Sequence, residues 1–452
     1  MKKKFHKARA KPLGLTELIA IAIGGMIGGG IFSILGIATE KIGNATPIAI
    51  LLGGLLALLA AYSYVKLAIY YKDEGATYSF FKKTFPKSHF AASAIGWFIV
   101  FGYISTLALY AFTFASYTTS MLAAQDYTLI RNIIAGIILL FFTVINLVSV
   151  KGMGELEDLI VYAKLIILLV ISVLLANKGD IHNITPIFNG GFHWPTILIV
   201  AAITFVAYEG FQLVIHATNE MENPRKNIPH AIYSAIAIAT LIYVGLAVAA
   251  LLAIPKADLI ANKEYALAAG ADDILGHAGL VAVIFGAMLA TSSAINGTIF
   301  GASRLMAVIA EDGYFPKFLS TRRKKHIPKY AIITISLFSL SFLLMGNLES
   351  ILQFGSITFI LVSLLMAIAN FKMRHKTKAN GFIAITALIG LATAAVLILY
   401  YELITNRLDV VIILGIYAIL TLLALLYSSI RSRNSRLRKF LEKIKILKKI
   451  KN

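Results

Sequence analysis

Apolar runs of about 20 residues recur along this chain, each long enough to cross the roughly 30 Å hydrocarbon core of a bilayer. Twelve are read, at 14–38, 46–70, 92–122, 130–150, 157–177, 195–219, 229–253, 279–309, 330–345, 350–371, 381–402 and 409–430. Hydrocarbon has no water to bond bare N–H and C=O groups, so lipid-facing runs of this length must be helices. The pattern predicts an all-α, multi-pass membrane protein with twelve transmembrane helices. Its 452 residues are 59% hydrophobic and only 14% charged, which excludes an ordinary soluble domain. The longest connections, at 71–91, 178–194, 254–278 and 310–329, are too short for a separate soluble unit.

The net charge of +20 could point to nucleic acid, but its placement points to a membrane. Alternate loops, counted from the N-terminus, hold 34 of the 42 Lys and Arg residues. The opposite loops and the run ends beside them hold only Lys41, Arg131, Lys178, Lys256, Lys263 and Arg407, while Lys164 and Arg304 lie deeper within runs, and Lys66, at the end of the second run, is counted with the loop that follows it. This asymmetry places the basic loops, and both termini, in the cytoplasm of a cell-membrane protein. The tail 431–452 sets Leu437, Phe440, Leu441, Ile444, Leu447 and Ile450 as one stripe on a basic helix, suited to an anionic lipid surface. The absence of Cys removes thiol chemistry and thiolate metal sites. The first run is too long for a signal peptide and reads as a retained span.

Two runs are built to fail in their middles. "AIGGMIGGGIF" (22–32) carries Gly24, Gly25, Gly28, Gly29 and Gly30 inside the first. Each glycine costs about 1 kcal/mol against Ala in a helix interior. The sixth carries "FVAYEGFQLVIHATNEMENPRKNIP" (205–229), with Tyr208, Glu209 and Gly210 at membrane depth. Paired interruptions in corresponding places of two halves point to an inverted-repeat transporter. A broken helix offers free N–H groups at one half and free C=O groups at the other, which attract anions and cations respectively. Facing breaks therefore make a site for a zwitterion. The competing reading is that the glycines only let helices pack closely.

Lys164 lies inside the fifth run, in "VYAKLIILLV" (161–170). A lysine at that depth is a functional candidate by default, with snorkelling toward an interface as the alternative. Glu209 reads either as a second proton carrier or as a ligand for a substrate ammonium. His216 reads as a packed residue and Tyr103 as aromatic packing, with lining of the site as the alternative for Tyr103. Arg304 and the cluster Arg322, Arg323, Lys324 and Lys325 should reach water.

"GGMIGGGIF" (24–32), "FVAYEGFQ" (205–212) with "NEMENPRKNIPHAI" (219–232), "SSAINGTIFGASRLMAVIAEDGYFP" (292–316), and "GATYSF" (75–80) with "GW" (96–97) resemble, in order, motifs of the amino acid–polyamine–organocation permeases. The resemblance covers essentially the whole chain. It implies the leucine-transporter fold, with discontinuous helices 1 and 6. Two inverted five-helix repeats would fill 14–177 and 195–371. Two further helices would follow at 381–430, flanked by the basic ends 1–13 and 431–452. It implies uptake or exchange of amino acids or related amines, with no cofactor and no metal. Ile27, Gly28, Gly29, Gly30 and Ile31 would hold the substrate carboxylate. Phe205, Ala207, Tyr208 and Gly210 would hold the ammonium and gate the pocket. Gln212 departs from the glutamate that the family often has there.

The resemblance also implies a coupling role for Lys164. Sodium-coupled relatives of this fold hold a cation near the fifth span, and some proton-coupled permeases place a lysine ammonium there instead. Lys164 would then pair with the Gly24 carbonyl and a hydroxyl of Ser292 or Ser293, gaining and losing one proton per cycle. The expected function is a proton-coupled, sodium-independent amino acid permease working by alternating access. An exchanger and a sodium symporter remain as alternatives. An intramembrane serine–lysine enzyme would leave the broken first span unexplained, and a channel would favour rings of like residues from repeated subunits.

Overall fold

The computed structural model describes residues 12–122, 127–148, 154–188, 194–322 and 327–451, without the side chains of 154–158 and 434–451. The N-terminal lysines, Arg323, Lys324 and Lys325, and the apolar stripe of the tail lie outside what is described. All regular structure among the described residues is helical. Ten helical stretches are long and apolar enough to cross a membrane, and two shorter apolar helices, Leu15–Met26 and Lys329–Met345, accompany them.

The first apolar run divides into α1 (Leu15–Met26) and α2 (Gly29–Ile42). A 3-10 turn leads to α3 (Thr46–Tyr71), and the short α4 (Ala76–Thr84) precedes α5 (His89–Thr119). Next come α6 (Tyr127–Val148) and α7 (Gly154–Lys178). The run expected at 195–219 divides into α8 (Trp194–Thr204), a 3-10 turn Phe205–Tyr208 and a four-residue α9 (Leu213–His216). Then follow α10 (Pro224–Ala253), α11 (Lys256–Ala261) and α12 (Ala266–Glu311), the last carrying a non-helical residue at Gly276. The chain closes with α13 (Lys329–Met345), α14 (Leu348–Thr377), α15 (Gly381–Thr405) and α16 (Arg407–Lys451). The backbone of α16 runs unbroken from the last apolar run into the tail.

The helices sort by what they bury. α5, α8–α9 and α14 are enclosed by neighbours along most of their lengths. α6, α7, α15 and α16 instead turn rows of exposed apolar side chains outward, among them Leu140, Leu169, Val396 and Leu422. Such contiguous apolar faces on an otherwise well-packed chain suit hydrocarbon rather than water. The two broken runs lie inside this ring. α1 packs on α7, α9, α10 and α12, and α2 packs on α5, α8, α11 and α12. Lipid gives no hydrophobic drive for helices to associate, so close contact must come from small residues. Gly53 and Gly54 of α3 serve this purpose, where a Cβ would fall 2.2 Å from the Thr204 hydroxyl and 2.4 Å from that of Thr240.

Candidate functional site

The first break is made at Ile27 (φ −81°, ψ 83°) and Gly28 (φ −120°, ψ −141°). Neither conformation demands glycine. Gly28 is needed for space, because a Cβ there would lie 2.7 Å from both the Ala294 Cβ and the Tyr110 ring. The break frees the last carbonyls of α1, and the protein supplies donors for them. The Lys164 ammonium, fully buried on α7, donates to Gly24 O at 3.0 Å and to Ile27 O at 2.6 Å. The Tyr110 hydroxyl donates to Gly25 O at 3.4 Å. Met26 O accepts from Gly28 N at 2.9 Å and from the Tyr243 hydroxyl at 2.9 Å. At the other half-helix, the N–H groups of Gly29 and Gly30 open α2 and have no intrahelical acceptor.

The second break faces the first. After the 3-10 turn, Glu209 is extended and Gly210 takes φ +121°, a region that favours glycine. A Cβ on Gly210 would also sit 2.4 Å from the Gly25 carbonyl carbon. On the other side of the junction, a Cβ on Gly30 would fall 2.9 Å from the Ala207 Cα. The Tyr243 hydroxyl ties the two together, lying 3.1 Å from Ala207 O as well as 2.9 Å from Met26 O.

Between the breaks and α12 lies a cavity lined by Gly25, Tyr103, Thr106, Tyr110, Glu209, Gly210, Leu213, Gly297, Thr298, Gly301 and Ala302. It holds about 20 Å³ of free space, room for water rather than an amino acid. Glu209 is 3% exposed. Gln212 organises it: the amide nitrogen donates to Glu209 Oε1 and, at 3.1 Å, to the Tyr103 hydroxyl, while Gln212 Oε1 accepts from Gly210 N at 3.2 Å. Glu209 Oε2 has no hydrogen-bond partner. An unmatched buried carboxylate oxygen is costly unless a proton or a cation meets it.

Side-chain and backbone contacts join the helices at each end of the bundle. On the α2 side, Tyr117 donates to Phe32 O at 3.2 Å, Lys41 pairs with Glu349 at 2.5 Å, and Lys263 pairs with Glu40 at 3.0 Å. On the α1 side, Leu13 makes a backbone bridge to Met221, with Leu13 N to Glu220 O at 2.9 Å and Glu222 N to Leu13 O at 3.0 Å. There Asp312 also accepts from Tyr78 at 2.7 Å and from Lys82 at 2.5 Å. Burial and this contact push the Tyr78 hydroxyl well above the usual tyrosine range. Burial alone would raise the Asp73 carboxyl, but Lys83 and the Gly75 N–H hold it below the usual carboxylate range.

The residues expected from sequence divide accordingly. Lys164 and Gly24 meet, and Ile27 joins them through its carbonyl. Of the two hydroxyls expected beside Lys164, that of Ser293 is not a partner: Ser293 Oγ is buried and has no hydrogen-bond partner, and Ile27 O is an acceptor beside Gly24 O. Ser292 is half-buried one position earlier on α12. Glu209 and Gly210 line the cavity. Ile27, Gly28, Gly29, Gly30 and Ile31 do not: they are buried in helix contacts, with a Cβ on Gly29 falling 2.8 Å from the Thr113 hydroxyl. Phe205, Ala207 and Tyr208 are buried too, and the Tyr208 hydroxyl is spent on Ile50 O at 2.8 Å. His216 is within 2.7 Å of Glu74 O, and Arg304 donates to Phe300 O at 2.8 Å while lying over that ring.

Sequence reasoning missed Gly25, Thr106, Tyr110, Leu213, Gly297, Thr298, Gly301 and Ala302 as lining residues. For Tyr103 the alternative to packing is the one found, with its hydroxyl in the cavity network. The available signal was Gly297 and Gly301, four apart on one helix face in a stretch already singled out. Gln212, noted as a departure, is the donor that orients Glu209.

The sequence pattern described as "Amino acid permease" matches residues 13–432. The inner membrane transport protein YbaT of Escherichia coli is 30% identical, over 82% of this chain and 85% of its own length. The branched-chain amino acid permease BcaP of Bacillus subtilis is 24% identical, over 86% and 87%. The crystal structure of the Eremococcus coleocola manganese transporter superposes with a TM-score of 0.63 at 12% identity, covering 96% of this chain and 97% of that one. At that identity the likeness concerns the fold alone.

Proposed function

The chain belongs to the amino acid permease family, and on that premise we propose that it carries amino acids across the cell membrane by alternating access, driven by protons and independent of sodium. Membership makes it a transporter rather than an enzyme. The observation that carries the finer reading is Lys164, whose ammonium lies against the freed carbonyls of Gly24 and Ile27. A fixed positive charge there does the work that a bound sodium ion would do. It joins α7 to the broken helix while protonated and releases it when the proton leaves. The runs within 14–177 and within 195–371 act as the two inverted repeats, 381–430 as the additional pair, and the basic face as cytoplasmic. The basic loops and tail meet anionic lipid on that face.

The substrate occupies the junction of the two breaks. Gly29 and Gly30 N–H groups receive its carboxylate once α2 separates from α5. Glu209 Oε2 receives its ammonium. The carbonyls of α1 are poor candidates for the ammonium in this conformation, because Lys164, Tyr110 and Tyr243 already occupy them. The small cavity and the contacts at both ends support a state between the fully outward and fully inward openings.

The test is uptake of a labelled amino acid mixture into proteoliposomes under imposed gradients. An inward proton gradient should drive accumulation, and replacing Na⁺ with K⁺ should leave it unchanged. Accumulation that requires Na⁺ overturns the proposal in favour of a sodium symporter. Exchange without accumulation under any gradient favours an antiporter.

A further inference from the structure

Far from the cavity, on the face opposite residues 12–14, four helix ends meet. Lys41 lies in the last turn of α2, Glu349 and Ser350 in the first turn of α14, Tyr401 and Glu402 near the end of α15, and Asp409 in the first turn of α16. Lys41 Nζ lies 2.5 Å from Glu349 Oε1 and 2.8 Å from the Tyr401 hydroxyl. Asp409 Oδ2 accepts from Ser350 Oγ at 2.7 Å. Glu402 is 1% exposed, and Glu402 Oε1 has no hydrogen-bond partner. The charges that act on Glu402 are those of Glu349, Lys41 and Asp409. Arg407 opens α16 but is exposed and is not among them, and Glu40 is already paired with Lys263. Three carboxylates therefore share one ammonium, and the buried one lacks a partner.

We propose that Glu402 is a second proton-binding site, and that its occupancy governs a latch made by Lys41 between the end of α2 and the ends of α14 and α15. With a proton on Glu402, Lys41 is held at this junction by Glu349 and the Tyr401 hydroxyl alone. When the proton leaves, a second carboxylate, on α15, attracts Lys41 and the latch tightens. Repulsion from Glu349 and Asp409 favours the return of the proton, and with it the end of α2 is freer to separate from α14 and α15. α2 can respond as a unit because it is joined to α1 only through the break at Ile27 and Gly28. Identifying this face as extracellular rests on the transport reading. Acid outside would then loosen the outer mouth.

The chain has no cysteine, so introduced thiols are the only ones to label. Ile42→Cys on the α2 end and Ile404→Cys on α15, the latter 63% exposed, would carry spin labels for pulsed distance measurement in nanodiscs. A single short distance is expected at about pH 8, with a longer population growing severalfold by about pH 5.5. Glu402→Gln in that background should show the longer population at both pH values. Lys41→Gln should show the long one at both, and Asp409→Asn should keep the pH response. A distance that ignores pH in the parent overturns the proposal. So does a pH response that survives Glu402→Gln or vanishes in Asp409→Asn, or a short distance that survives Lys41→Gln. The measurement needs neither substrate nor gradient, so failure of proton-driven uptake and failure of the latch are separate results.

Discussion

The Lys164 ammonium stands 2.6 Å from the carbonyl oxygen of Ile27, the residue at which the first apolar run ceases to be helical. A charge on one helix thus satisfies a carbonyl that exists as a free acceptor only because another helix is broken. Replacing the lysine should act on coupling before it acts on folding. Lys164→Ala is expected to lose proton-driven accumulation in proteoliposomes while retaining substrate-induced thermal stabilisation. Lys164→Arg should fail as well, because guanidinium does not release its proton in the working range. Wild-type accumulation by Lys164→Ala would remove the residue from the mechanism.

Glu209 offers a cleaner binding test, since Gln212 already fixes one of its oxygens and leaves the other open. If that oxygen receives a substrate ammonium, Glu209→Gln should weaken binding by about 1–3 kcal/mol, roughly 5- to 150-fold in Kd. Isothermal titration reads this directly. Unchanged binding with lost accumulation would instead make Glu209 the proton carrier.

The glycines are not equivalent as test sites. Gly29→Val, the natural substitution to try from sequence, would drive a side chain into Thr113 and Tyr110, so lost binding there would not separate site from packing. Gly301 is better placed: a Cβ would have only Leu213 Cδ2 nearby, at 3.8 Å. Gly301→Ala should keep its thermal stability and shift the substrate preference toward smaller side chains in a competition assay. By contrast, Gly210→Ala should lower stability by about 1–3 kcal/mol, because alanine resists the positive φ. Equal stability losses in both variants would mean that the cavity wall at α12 is not free.

Asp73 supplies a pH test on the face that bears α4. Its carboxyl is held below the usual range by Lys83 and Gly75, against the effect of burial. A carboxyl depressed in the folded state stabilises above its unfolded value of about 3.9 and loses that contribution as pH falls through its folded value. The difference in melting temperature between the wild type and Asp73→Asn should therefore be constant from neutral pH down to about 5 and shrink below about 4. It should be small, because both partners keep contact with water. A difference that grows on acidification would mean that the ion pair is not its source.

The two breaks and the buried lysine were legible because each violates a rule of the apolar run that contains it. Glycines cluster where a helix should continue, and Glu209 and Lys164 carry charge where the bilayer forbids it. The cavity itself was not legible. Gly25, Thr106, Tyr110, Gly301 and Ala302 are ordinary residues for helices that pack in lipid, and only their meeting across several elements makes a wall. Tyr243 is one tyrosine in a thirty-residue apolar helix, with no local mark that sets it apart from packing. The choice of Ile27 O over the Ser293 hydroxyl as a partner of Lys164 depends on the direction in which the break turns its carbonyl, which no residue type encodes.

The Tyr243 hydroxyl has one proton and two acceptors, Met26 O at 2.9 Å and Ala207 O at 3.1 Å. Such a group behaves as a bearing rather than a bolt. When the two half-helices slide past each other, the proton can swing to whichever oxygen stays near, so that displacement need not strand both carbonyls at once. The ring, packed beside Tyr208 at 5.4 Å between centroids, holds the hydroxyl between the two oxygens it can serve.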